Sequence, residues 1–194
     1  MARAAQDRRV FFVEEPLPES VSEPRLRMGR RGRVTVVTPV VPEGLSDEAT
    51  RDIVRSLVDE LVGTEHIIRP VLWFYTPMAL PWSRHLAARA SAVVYDSMDF
   101  LAGFLGAPPE LLQLERELLD RADLVFCGGA SLHQRMRTLH ADSHCFPSSV
   151  DVAHFRTARN GRAEPADLAS IGRPRLGYAG VVDERVDLEL IAGV

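Results

Sequence analysis

Short apolar runs closed by proline, glycine or an acid alternate along this chain with longer stretches whose apolar residues recur every three to four positions. The short runs fall at residues 9–13 (Arg9-Val10-Phe11-Phe12-Val13), 34–38, 71–75, 92–96 and 124–127. They are rich in β-branched and aromatic side chains and read as buried strands. The run at 71–75 is apolar throughout, as for a strand covered on both faces. Between them, Ile53, Val54, Leu57, Val58, Leu61 and Val62 mark a helix that Ser46 caps, with Asp47 and Glu48 in its first turn. Pro108-Pro109-Glu110 opens another in which Leu111, Leu114, Leu118 and Ala122 share a face, and Ser131 starts a third that runs to about Leu139. The segment between Pro16 and Gly32 is polar and shows neither period.

Strands alternating with helices of ten or more residues predict βαβ units: an α/β fold built on a Rossmann-like, doubly wound parallel sheet. Right-handed crossovers place the functional crevice of such a sheet at the carboxyl ends of its strands. Tyr75, Thr76, Asp96, Gly128 and Gly129 all fall at such ends. Apolar periodicity then lapses over 157–174, which reads as an interdomain linker. A strand is expected at 175–180 and a helix from Val186 to Val194. The predicted organisation is a domain over 1–156, a linker over 157–174 and the beginning of a second domain over 175–194.

Bulk properties narrow the function. Across 194 residues the formal charge is −4, with 23 basic side chains and no lysine, so no global cationic field exists to hold nucleic acid. Cys127 and Cys145 sit in apolar runs without metal-ligand spacing, and the six histidines form no metal pair. Both cysteines are expected to be reduced and buried. No run approaches the ~20 apolar residues that span a bilayer, and Met1 is followed by charge, not by a leader core. A cytoplasmic protein is expected, with room for peripheral membrane association.

Taken in order, 91–96 (Ser-Ala-Val-Val-Tyr-Asp), 122–127 (Ala-Asp-Leu-Val-Phe-Cys) and 145–155 (Cys-Phe-Pro-Ser-Ser-Val-Asp-Val-Ala-His-Phe) resemble the GT-B glycosyltransferases, specifically their group 1, or family 4-like, members. The segments RVFFVEEP, LWFYTPMALP, VYDSMD, FPSSVDVAHF and GYAGVVDER are similar to those of a bacterial group in that family, so the likeness runs from Arg9 to the last residue. It implies an acceptor-side Rossmann-like domain over 1–156 that lacks the family's first strand and helix, and only the first strand and helix of the donor-side domain. By this likeness the chain is a fragment at both ends, marginally stable and inactive alone. The implied reaction moves a sugar from a nucleoside-diphosphate sugar to a hydroxyl on a glycan, lipid or small-molecule acceptor, in the synthesis of cell-surface polysaccharide or glycan. No cofactor and no metal are implied.

The resemblance also distributes roles, and each has a plainer reading beside it. Asp96 stands where the family places an active-site residue; it could equally cap the following turn, and Asp99 follows closely. Tyr75 and Thr76 would face the acceptor, or else be core and turn residues. Gly128-Gly129 resembles a phosphate cradle, though a tight strand-to-helix turn is the commoner use of such a pair. Ser148, Ser149 and Asp151 would line the loop between the domains, or simply stabilise it. Gly180 and Arg185 match the glycine turn and basic residue that approach the donor diphosphate, but Val186 stands where the family has a further glycine. The competing class is a non-catalytic α/β ligand-binding or regulatory module.

Overall fold

The computed structural model describes residues 1–161, 163–183 and 186–193 and divides the chain into two compact units, Met1–Pro147 and Ser148–Val194. The first unit is α/β with parallel sheets, as the alternation of periods requires. Its strands are β1 (Val10–Val13), β2 (Leu17–Glu19), β3 (Arg25–Arg31), β4 (Val34–Pro42), β5 (Val71–Phe74), β6 (Ala92–Ser97), β7 (Leu124–Cys127) and β8 (Ser143–Cys145). The helices are α1 (Asp47–Thr64), a single turn α2 (Leu80–Ser83), α3 (Leu111–Arg121) and α4 (Ala130–Met136). The strands divide between two sheets. One has the order β1-β4-β2 with β3 on the other edge of β4, and the other has the order β5-β6-β7-β8, parallel throughout.

Helix α1 starts where Ser46 accepts a hydrogen bond from the Ala49 N–H at 3.2 Å. Its buried stripe, Val54, Leu57, Val58, Leu61 and Val62, follows the expected period. Val54, Val58 and Val62 pack with Val13 and Val41 of the first sheet and with Leu72 of the second, so one helix face is shared by both sheets. The second core gathers Phe74, Val93, Tyr95, Val125 and Cys127 from β5, β6 and β7 against Leu118 and Leu119 of α3 and Met136 of α4. α4 begins at Ala130 and is capped by Gly129, two residues before the cap expected at Ser131.

Three departures from the sequence reading have physical causes. Residues 17–31, polar and assigned no element from sequence, carry β2 and β3. The β3 strand pairs antiparallel with β4 from Arg25↔Val40 to Arg31↔Val34, closed by the two-residue turn Gly32-Arg33 with Gly32 at φ 61°. An edge strand exposes most of its side chains, and the arginines here erase any apolar alternation. Next, β4 does not stop before Pro39 but runs through it. The Val37 carbonyl accepts from the Glu14 N–H at 2.9 Å, so by alternation Pro39 faces the same edge. That edge passes there from β1, whose register ends at Val37, to β2, whose register begins at Val40, so the missing proline N–H costs no ladder bond. Last, β5 is not covered on both faces: Val71 and Trp73 remain 42% and 39% exposed, because α3 and α4 pack against the other face.

The second unit holds short helices α5 (Val152–Arg156), α6 (Ala166–Ala169) and α7 (Leu188–Ala192). No strand forms among its described residues: 175–180, expected to be one, have no ladder partner. A helix does follow, started by Asp187 accepting from the Leu190 N–H at 2.9 Å. No helix of the described residues is long and apolar enough to cross a membrane.

Leu118, fully buried in the second core, measures how far that core carries the first unit. Leu118→Ala is expected to cost about 2–5 kcal/mol in urea unfolding.

Candidate functional site

The strand register decides what shares a face with Asp96. Paired residues of a parallel sheet point the same way, and side chains alternate along each strand. Asp96 pairs with Phe126, which pairs with His144, while Trp73 pairs with Val94, two positions before Asp96. Trp73, Asp96, Phe126 and His144 therefore project from one face, away from the Phe74–Tyr95–Val125 core. On that face the rings of Trp73 and Phe126 lie 5.3 Å apart, and Phe126 meets Phe146 edge to face at 5.2 Å. Phe146 is 63% exposed, so the row is open to water.

Asp96 sits within this row as a half-buried carboxylate. Its Oδ2 accepts a hydrogen bond from the indole Nε1–H of Trp73 at 3.1 Å, and Oδ1 meets no donor among the described residues. Burial raises the Asp96 pKa above the usual carboxylate range, with the Trp73 bond acting the other way. Tyr75, just past β5, has its pKa raised by burial and then by the Asp96 charge, and its ring lies 6.2 Å from Phe12. Cys127, buried on the opposite face, is pushed up to about 11 by burial, then by Cys145 and Asp96, so it is no nucleophile near neutrality. Both cysteines are free, but Cys145 is only partly buried. Among the described residues no group of three or more His, Cys, Asp or Glu is placed to hold a metal ion.

The structure thus brings Tyr75 and Asp96 together and gives the other strand-end residues plainer work. The Thr76 hydroxyl accepts from the Met78 N–H at 3.2 Å, capping the turn Pro77–Ala79. Asp99 is exposed and makes no hydrogen bond or ion pair among the described residues. The Gly128 N–H donates to the Ser97 carbonyl at 2.9 Å, and a Cβ on Gly128 would stand 2.7 Å from the Met98 carbonyl oxygen. Close backbone packing requires a glycine there. Gly129 caps α4 and has open space around it.

The remaining candidates lie in the second unit. Ser148 and Ser149 are exposed, and Asp151 caps α5 by accepting from the Ala153 and His154 N–H groups at 3.0 and 3.1 Å. Gly180 is exposed, in a turn where the Tyr178 hydroxyl donates to the Val181 carbonyl at 3.0 Å. Arg185 lies outside the described residues. Trp73, Phe126 and Phe146 were missed from sequence as site residues. An apolar run cannot say which face is bare, and only the register ties Asp96 to Phe126.

No family model and no curated protein matches this sequence. Among solved structures, the chain is similar to one described as trehalose-6-phosphate from E. coli bound with UDP-2-fluoro glucose, with a TM-score of 0.51 and 13% identity. The match covers 82% of this chain and 46% of that one, so the chain spans less than half its length. At that identity the likeness is one of fold, Rossmann-like α/β with parallel sheets.

Two measurements test the geometry. Gly128→Ala is expected to lower the melting temperature and Gly129→Ala to leave it nearly unchanged, since only the first pushes a methyl into backbone. Tryptophan emission should titrate with a midpoint above 3.8, the ordinary aspartate value, as Asp96 ionises beside Trp73, and Asp96→Asn should abolish that step. A carboxylate whose pKa rises on folding favours the fold below its unfolded pKa and loses that advantage as pH climbs through the folded value. Asp96→Asn should therefore raise the melting temperature more at pH 7 than at pH 3.

Proposed function

We propose that this chain is part of a GT-B-type glycosyltransferase, residues 1–156 forming the acceptor side and residues 175–194 the start of the donor side. The observation that carries the reading is the Asp96 carboxylate set in an open row of aromatic rings at the carboxyl end of β6. Aromatic faces pack against the C–H surface of a sugar ring, and a carboxylate oxygen without a protein donor accepts a hydroxyl. The fold likeness to a structure that holds UDP-2-fluoro glucose supports the same reading.

In the proposed reaction the acceptor hydroxyl oxygen bonds to the anomeric carbon of a nucleoside-diphosphate sugar. The bond from that carbon to the diphosphate breaks, and the diphosphate leaves with its electron pair. Asp96 Oδ1 accepts the hydroxyl hydrogen and fixes the line of approach, with Tyr75 beside it. Its raised pKa brings it nearer the pH at which it would take the proton. Gly180 and Arg185 are assigned to the leaving diphosphate, whose charge backbone N–H groups and a guanidinium can stabilise without a metal.

Millimolar titrations with a panel of mono- and disaccharides, followed by tryptophan emission, test the acceptor side. One or more should perturb Trp73 saturably, and Asp96→Asn should remove that response while Trp82, packed against the core of Val41, Val54, Val58 and Val62, reports an intact fold. UDP-glucose alone should give no saturable heat. A panel without any saccharide response, or tight UDP-glucose binding by this chain, would overturn the assignment.

A further inference from the structure

The chain is acidic overall, yet its positive charge is unevenly placed. Arg25, Arg27, Arg30, Arg31 and Arg33 occupy five of the nine positions 25–33, on and beside the β3–β4 hairpin. The register sorts them onto two faces. Arg25 and Arg27 both reach Glu19, at 3.8 and 2.6 Å, and are neutralised there. Arg30 falls on the other face, opposite Thr35, which in turn pairs with Phe11 of β1. Arg30 makes no ion pair or hydrogen bond among the described residues, so protecting a sheet edge with paired charge does not account for it.

Arg30 instead lines a cleft of about 530 Å³ at the amino ends of β1 and β4, beyond the last turn of α1. Arg9 and Arg33 line it too, together with Phe11, Thr35 and Glu65. Arg9 is held in place: it donates to the Glu65 carbonyl at 2.9 Å, its guanidinium is 3.5 Å from the Glu65 carboxylate, and it lies 5.7 Å from the centre of the Phe11 ring. Arg33 donates one N–H to the Gln6 carbonyl at 3.1 Å, a neutral partner that leaves its charge uncompensated. Three arginines and a single acidic residue thus line one cleft. Like charges gathered this way repel, and an anion between them relieves the repulsion.

We propose that this cleft is an anion site for a phosphoryl group, separate from the Asp96 face. Arginines from three places, Arg9 just before β1, Arg30 in β3 and Arg33 in the hairpin turn, line the cleft together with Thr35. That suits a tetrahedral oxyanion with three free oxygens better than a planar carboxylate with two. The Phe11 ring and Met28 give the remainder of a phosphate ester an apolar floor. A soluble phosphate ester and a lipid phosphate headgroup present the same chemistry, and the experiment separates them.

Calorimetry of the whole chain at low salt with inorganic phosphate and with glucose 6-phosphate reads the soluble arm. Co-sedimentation with phosphatidylcholine vesicles, with and without phosphatidic acid, reads the lipid arm. Saturable binding in either arm is expected, weakening as salt rises and roughly tenfold for each of Arg30→Gln and Arg33→Gln. Both variants should keep the parent melting temperature, and Arg25→Gln, on the other face, should keep the parent affinity. Absence of saturable binding in both arms overturns the site, as does an equal loss from Arg25→Gln, which would mean a diffuse field around the hairpin.

Discussion

One buried carboxylate holds the second sheet to its helices. Glu115 of α3 is 6% exposed, and its two oxygens meet the Tyr95 hydroxyl of β6 at 3.1 Å and the Arg135 guanidinium of α4 at 2.5 Å. A buried charge without partners would cost several kcal/mol, so the three groups form a unit that requires strand, α3 and α4 to be in register together. Burial, and then the Glu115 charge, drive the Tyr95 pKa upward, which keeps its hydroxyl a donor at any physiological pH. Arg135 is held from its other side by Phe100, 4.8 Å away, in the loop that follows β6.

That unit sets the position of the chemistry. Tyr95 points into the core, so Asp96, next in the strand, points out of the other face. Whatever fixes Tyr95 therefore fixes Asp96, and the same register lays Phe126 beside it. The loop after β6 is fixed again by Gly128, which packs against Met98 closely enough to exclude a side chain. The candidate site is thus a strand end held by a buried ion pair and a glycine contact, and its aromatic row is left bare because the helices lie on the core face.

Charge is organised just as locally in the first sheet. The hairpin spends two arginines on Glu19 and places two more, Arg30 and Arg33, at a cleft that Arg9 also lines. A net charge of −4 conceals this completely. Composition sums over faces that strand alternation keeps apart, and the field at a cleft depends on distances that the sum does not contain.

The amino-acid sequence by itself determined the α/β class, α1 with its Ser46 cap, the apolar stripe of α3 and the strands at 9–13, 92–96 and 124–127 to within a residue, because hydrophobic period and capping chemistry are local. It also brought Asp96 and Tyr75 forward as residues at strand ends. It could not reveal β3, whose arginines mask the strand period, nor the run of β4 through Pro39, which depends on where β1 gives way to β2. The pairing of Asp96 with Trp73, the bare aromatic face and the three arginines of one cleft were decided only by the tertiary structure. Each joins residues far apart in the chain, and strand register, which brings them together, is set by packing across the whole sheet.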